Sequence, residues 1–351
     1  MKKLLSLMLL ALSTIIVYAQ VSKTVNMTTA GSLSTTLSSY DKTYLSNLTV
    51  TGNIDARDIK CMRDEIIKLE ILDISAVTIK SYTGTGGTYA PVSTLYPANE
   101  MPQFSFCDNY TTYTSKTTLK TIVLPNSLTS IGMYSFYGCT GLTGLITIPS
   151  SVVSIGGAAF YNCRGLTGSL VIPNSVTSIE TSSFTYCQGL TSIVIPSSVT
   201  SITFNAFSYC SGLTAVISYL KVPVVLAALT DVFIGINKST CTLYVPIGSK
   251  SLYKSSYQWK DFLNIVEMTT AVPTIANEKI KIYPNPIKEG FRVNGLNGKT
   301  TIRLSDGNGK VFFEKLFVND EYISMNSKPK GIYIVELTTD DETITRKIIK
   351  Q

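Results

Sequence analysis

Seven cysteines and one cluster of carboxylates carry most of the chemistry open to this sequence of 351 residues, because it contains no histidine at all. Without imidazole there is no Ser-His-Asp or Cys-His nucleophile, no His-ligated zinc and no histidine general base. The cysteines are Cys61, Cys107, Cys139, Cys163, Cys187, Cys210 and Cys241. An odd number leaves at least one without a partner in the chain, and no CxxC pair supports a zinc site. Four of them recur at intervals of 24, 24 and 23 residues. That regularity fits packing: a thiol is a compact apolar filler, and reactive thiols sit beside cations that this stretch almost lacks. Asp55, Asp58, Asp64, Glu65, Glu70 and Asp73 offer the paired carboxylates a glycosidase would use. Asp55 and Asp58, however, have the spacing of a helix N-cap and its third position, which reads more simply as structure. Asp306-Gly307-Asn308-Gly309 lacks the other ligands of a calcium loop and reads as a hairpin turn. Neither a cofactor nor a metal is expected.

The elements that carry these side chains repeat. Between Leu119 and Val216 four columns share one period: Pro125, Pro149, Pro173, Pro196; Ile131, Ile155, Ile179, Ile202; Phe136, Phe160, Phe184, Phe207; and the cysteines from Cys139 to Cys210. Alternation in Ile193-Val194-Ile195 predicts a short strand, and Pro196 ends it because proline cannot donate to a ladder. A second extended piece, Ser198 to Ile202, leads to a turn that presents Phe207. One such coil has too few apolar side chains to offset the entropy of ordering its backbone, so coils must stack and share strand hydrogen bonds in a solenoid.

These columns, with Ser-Val-Thr-Ser-Ile at 198–202 and Cys-Ser-Gly-Leu at 210–213, resemble the BspA-like leucine-rich repeats of bacterial surface proteins. The resemblance implies a mainly β solenoid and extends in weaker form to residues 48–59 and 69–75. Segments 82–96 and 108–118 read as loops leaving the solenoid, and either Phe104 or Phe106 takes the Phe column. Residues 20–118 are accordingly expected to form an amino-terminal cap with degenerate repeats. Four regular repeats occupy 119–216, and a terminal coil and cap 217–268, with Trp259 closing the core.

Stacking aligns equivalent positions into rows. Val123, Thr147, Val171 and Val194 are expected to point outward from the strands, a dry and uncharged face suited to a protein contact rather than a small-molecule pocket. Only Lys120, Arg164 and Glu180 are charged across 119–216. A second candidate surface is tyrosine. Tyr137 and Tyr161 directly follow their Phe residues while Tyr186 and Tyr209 lie two places beyond theirs, so all four fall near one edge, and Tyr supplies rigid amphipathic contact area.

Both ends point to export. Met1-Lys2-Lys3 and the apolar run Leu4 to Val17 read as a signal segment over 1–19, too short to span a bilayer, with cleavage expected before Gln20. Removing Lys2 and Lys3 lowers the formal charge from +7 to +5, too mild for a nucleic-acid binder. After a linker at 269–277, short alternating strands over 278–351 predict a β-sandwich. Tyr283-Pro284-Asn285-Pro286, Gly309-Lys310, Gly331 with Tyr333, and the basic end containing Lys347 resemble the carboxy-terminal sorting domain of type IX secretion substrates, type A, a small Ig-like sandwich. That resemblance implies the type IX machinery as a partner, and a product attached to the cell surface or released. The expected function is a non-enzymatic adhesin or protein-binding scaffold whose extracellular partner is a protein or surface polymer. A carboxylate-dependent hydrolase and a structural spacer are the alternatives.

Overall fold

The computed structural model describes residues 20–89, 93–108, 112–226, 231–268, 281–283, 289–294, 300–306, 311–317, 321–329, 331–338 and 343–350. The expected signal segment, the linker, Pro284, Asn285, Pro286, Gly309 and Lys310 lie outside these residues, as do the side chains of Tyr283 and Lys347.

From Val21 to Met268 the chain winds as a solenoid whose coils meet through parallel strands. One wall begins with Val21–Met27, Leu45–Ile54, Ile71–Ile79 and Thr121–Val123. It resumes with Gly168–Val171, Leu190–Ile195, Ala215–Ser218, Thr242–Val245 and Asn264–Glu267. A second wall stacks the two-residue strands Glu100–Met101, Ser130–Ile131, Ser154–Ile155, Ser178–Ile179 and Ser201–Ile202 in chain order. Parallel neighbours need a crossover, and here each coil is that crossover. Ile193 and Ile195 face the core and are fully buried, as alternation requires.

The expectation that every coil shares strand bonds fails at 145–149, which is not strand. This coil is tied to its neighbours by the bridge from Gly144 to Leu166 and by two bonds: Thr143 N donates to Lys120 O (3.0 Å) and Thr167 N to Gly144 O (3.0 Å). From the buried Leu to the Pro this coil has one residue more than the coil at 119–125, and the added residue is Gly144, at φ 74°. Gly168 repeats the insertion at φ 79°, and the register with Leu190–Ile195 shifts there. An extra residue in a left-handed conformation is a bulge that shifts the register; beyond Gly168 a strand resumes, and beyond Gly144 none does.

Between the walls runs a file of rings. Phe106, Phe136, Phe160, Phe184, Phe207 and Phe233 stack at centroid separations of 5.4, 5.0, 5.4, 5.7 and 6.1 Å. Phe106 therefore takes the Phe column, and Phe104 does not. Trp259, fully buried, meets Phe233 edge-on at 4.9 Å and Tyr253 at 5.3 Å, ending the file. Each cysteine thiol of the column points at a carbonyl of the preceding coil: Cys139 Sγ to Phe106 O (3.6 Å), Cys163 to Phe136 O (3.0 Å), Cys187 to Phe160 O (3.2 Å) and Cys210 to Phe184 O (3.1 Å). The glycine of each Gly-Leu pair is fixed by closeness: a Cβ on Gly189 would lie 2.5 Å from Leu166 O.

At the amino end Asp55 caps the helix Ala56–Asp64, and Asp58 reciprocates in a capping box. Asp58 also accepts from Gly31 N (2.5 Å) and Leu33 N (2.8 Å), tying the first turn to this helix. Two buried cations hold the insertions. Arg63 Nη1 donates to the carbonyls of Thr88, Phe104 and Cys107. Lys116 Nζ donates to those of Arg63 and Ile66, near the carboxyl end of the helix, where a cation suits the dipole. Burial pushes Lys116 down to about 8, opposed by the negative charge of Asp64. The insertion at 82–96 is a hairpin, Tyr82–Gly84 against Thr94–Tyr96.

The last module consists of two antiparallel sheets. Lys281–Tyr283, Gly290–Asn294 and Glu321–Ser324 form one; Val311–Phe317, Thr300–Asp306, Gly331–Thr338 and Thr343–Lys350 form the other. Phe291, Val293 and Ile323 share one core with Leu304, Tyr333, Val335 and Ile348.

Candidate functional site: the tyrosine strip

The coils of Phe136, Phe160, Phe184 and Phe207 turn around the ring through two left-handed residues, one two places before it and one two places after; the Phe106 coil keeps the first and the Phe233 coil the second. The first column is Phe104, Tyr134, Ala158, Ser182 and Asn205, at φ between 52° and 58°. The second is Gly138, Asn162, Tyr186, Tyr209 and Gly235, at φ between 57° and 76°. Non-glycine residues pay for this conformation, and stacking enforces it. Phe184 N, for instance, donates to Ala206 O (2.9 Å) and Tyr186 N to Ser208 O (2.9 Å) in the next coil.

This double turn brings the four candidate tyrosines together. Tyr137 and Tyr161 are parallel to within 2° at 4.7 Å, and Tyr186 and Tyr209 lie at 4.7 Å and 13°. The sequence offset between the two pairs appears as a change of tilt: Tyr161 meets Tyr186 edge-on, at 5.5 Å and 79°. The strip also runs further than the period indicates. Tyr134 lies 5.6 Å from Tyr137, Tyr113 lies 4.9 Å from Tyr137, and Phe104 stacks between Tyr134 (5.0 Å) and Tyr89 (5.3 Å). Tyr134 escapes a reading by columns because its equivalents are Ala158, Ser182 and Asn205. Tyr113 and Tyr89 come from the insertions, which have no period.

Tyr209 is 40% exposed and Tyr113 37%, while Tyr137, Tyr161 and Tyr186 are half-buried. Burial, reinforced by the neighbouring phenols Tyr161 and Tyr113, pushes the Tyr137 hydroxyl up to about 12, and burial beside Tyr186 raises Tyr161. Both stay neutral in ordinary media. Because neighbours occupy the ring faces, interior members offer edges rather than the open platforms on which a sugar stacks.

The other candidate face is less uniform than its sequence. In register, Val123 is half-buried, Thr147 sits in the coil that has left the sheet, and Val171 is exposed. Val194 does not point into solvent: it is only 4% exposed, held between Val171 and Ile217 in the same row of the longest strand of that sheet. The row continues through Tyr244 to Val266.

Five of the six carboxylates sit in caps or ion pairs, and the sixth, the buried Asp73, accepts from Ser75 N (2.9 Å). Asp55 and Asp58 cap, with Arg57 2.6 Å from Asp55. Asp64 pairs with Lys60 and Arg63 (2.5 Å each), Glu65 with Lys42 (2.7 Å) and Glu70 with Lys120 (2.9 Å). All seven cysteines are free and buried. Among the described residues no group of three or more His, Cys, Asp or Glu is placed to hold a metal. In the last module Gly331 pairs with Lys350, and Tyr333 is buried with its hydroxyl donating to Pro329 O (2.7 Å). Lys350 Nζ turns inward to the carbonyls of Met325 (2.5 Å) and Lys328 (2.7 Å).

Comparison with known proteins agrees with this architecture. Residues 108–223 match the BspA type leucine rich repeat region, in six copies, and residues 281–351 match the secretion system C-terminal sorting domain. A leucine rich cell surface protein from Faecalibacterium prausnitzii A2-165 is similar at 20% identity and TM-score 0.26, over 66% of this chain and 75% of that one. PorZ, an essential bacterial surface component of the type-IX secretion system of Porphyromonas gingivalis, is similar at 15% identity and TM-score 0.21. That likeness spans 23% of this chain and 12% of the length of PorZ. No curated protein matches the chain. Residues 108–223 are thus a BspA type leucine-rich repeat region and residues 281–351 a type IX secretion sorting domain, which implies export to the cell surface or secretion.

Proposed function

We propose that the chain is an exported, non-enzymatic recognition scaffold that binds a protein partner along the strip from Tyr113 to Tyr209. The continuous file of tyrosines along one edge of the coils carries this reading. Held ring against ring, these side chains have little rotamer entropy left to lose on binding, which is what makes Tyr effective at interfaces. Occupied ring faces favour a protein over a sugar. The carboxylates of the first coils, five of the six spent in caps and ion pairs, favour recognition over hydrolysis.

The test is capture of the purified full chain on immobilised mucin and matrix proteins. Replacing Tyr161→Ala together with Tyr186→Ala is expected to weaken capture about thirty-fold, the scale of a hot-spot pair, with the far-UV spectrum unchanged. Capture by none of these surfaces, or capture indifferent to the double substitution, sinks the proposal.

A further inference from the structure

The carboxy-terminal end of the solenoid displays apolar side chains on a backbone that is firmly held. Residues 218–226 cross the cap as a strap whose carbonyls face inward. Tyr253 Oη donates to Leu220 O (2.8 Å), Ser249 Oγ to Lys221 O (2.8 Å) and Trp259 Nε1 to Val224 O (3.0 Å). Leu220 and Leu226 are buried in the core, and the Ser218 hydroxyl meets Tyr253 Oη at 2.6 Å. With its carbonyls committed to the cap, the strap turns Val222 and Val225 outward, 69% and 94% exposed, on either side of Pro223. Ile247, two residues from the Ser249 that holds the strap, is 58% exposed.

Lysines lie among these side chains: Lys221 on the strap, and Lys250 and Lys254 on the helix Lys250–Ser255, which the same hydrogen bonds place beneath it. Across 217–268 five lysines (Lys221, Lys238, Lys250, Lys254, Lys260) stand against three carboxylates (Asp231, Asp261, Glu267). Asp261 pairs with Lys238 (3.4 Å), and Glu267 accepts from Lys250 N (3.0 Å). The result is a tip with exposed apolar side chains and, as a rim, a surplus of lysines.

We propose that this tip docks on a lipid surface with anionic head groups, the valines and Ile247 entering the interface and the lysines meeting the phosphates. Charge selects this occupant. A second copy docking through the same tip would set lysines against lysines, and residues 278–351 carry 13 Lys and Arg against 10 Asp and Glu, the same sign as the rim. The inference concerns residues separate from the tyrosine strip, so either can fail alone.

Cosedimentation of the full chain with vesicles tests it. Binding is expected to vesicles of phosphatidylcholine mixed with phosphatidylglycerol, weaker at high salt, and at least ten-fold lower on phosphatidylcholine alone. Val222→Asp with Val225→Asp, and separately Lys221→Glu with Lys254→Glu, should each lower binding to the mixed vesicles at least ten-fold with the thermal midpoint unchanged. Tyr161→Ala with Tyr186→Ala should leave it intact. Absence of binding to either vesicle, equal binding to both, binding untouched by the two tip variants, or concentration-dependent dimerisation abolished by the same substitutions would overturn the proposal.

Discussion

Cys163 shows how much a single side chain contributes to the coil interface. Its thiol donates to Phe136 O across the boundary, and it is fully buried beside Phe160. Burial pushes Cys210 up to about 12, and raises Cys163 and Cys187 as well. Alkylation requires the thiolate, so these groups stay inert well past the pH at which a free cysteine ionises, about 8.5. Mass spectrometry after iodoacetamide treatment is expected to find the native chain unlabelled as pH rises to about 9, and all seven cysteines labelled after unfolding in guanidinium. Rapid labelling of any column cysteine in the folded chain would contradict the buried file. The column and its packing role were legible because one residue type recurs at one period. The flanking left-handed positions were not. Tyr134, Ala158, Ser182 and Asn205 share a backbone conformation but no chemistry; the N–H groups of the first three donate to carbonyls of the next coil, which overrides what each side chain prefers alone.

At the scale of the element, the stack of Phe rings holds successive coils in register. Phe160 packs 5.0 Å from Phe136 and 5.4 Å from Phe184, fully buried. Phe160→Ala leaves a cavity that both neighbours line, and the loss expected from the urea midpoint is about 3–5 kcal/mol. Because each coil touches only its neighbours, that loss should also broaden the transition by separating the two halves. A loss below about 1 kcal/mol would mean that the site collapses and the file is not continuous. The strands themselves were legible from alternation and proline. The break at 145–149 was not legible: Gly144 lengthens that coil, visible in the spacing from Leu142 to Pro149, but the same insertion at Gly168 leaves a paired strand. Val194 was misjudged because alternation gives only the face. Burial on that face depends on the neighbours in the row, and Ile217 belongs to a coil beyond the regular repeats.

For the whole molecule, two modules built on different principles share one chain: a parallel solenoid whose regular repeats are nearly uncharged and a charged antiparallel pair of sheets. Since residues 281–351 match the sorting domain, deleting them should leave the repeat region folded but retained in the periplasm, with the protein missing from the cell surface and medium in fractionation blots. Efficient surface display of the truncated chain would refute the assignment. The antiparallel strands of the last module were legible from their alternation and the turn residues between them. The length of the tyrosine strip was not, because part of it comes from insertions that no repeat predicts.

The contact between adjacent regular coils has nearly the same chemistry at each step: thiol to carbonyl, ring on ring, backbone against glycine. A gene encoding it can therefore gain or lose one coil's worth of codons in frame without either cap meeting an unfamiliar neighbour. Copy number then becomes a heritable way to set how far the chain reaches and how many tyrosines it presents.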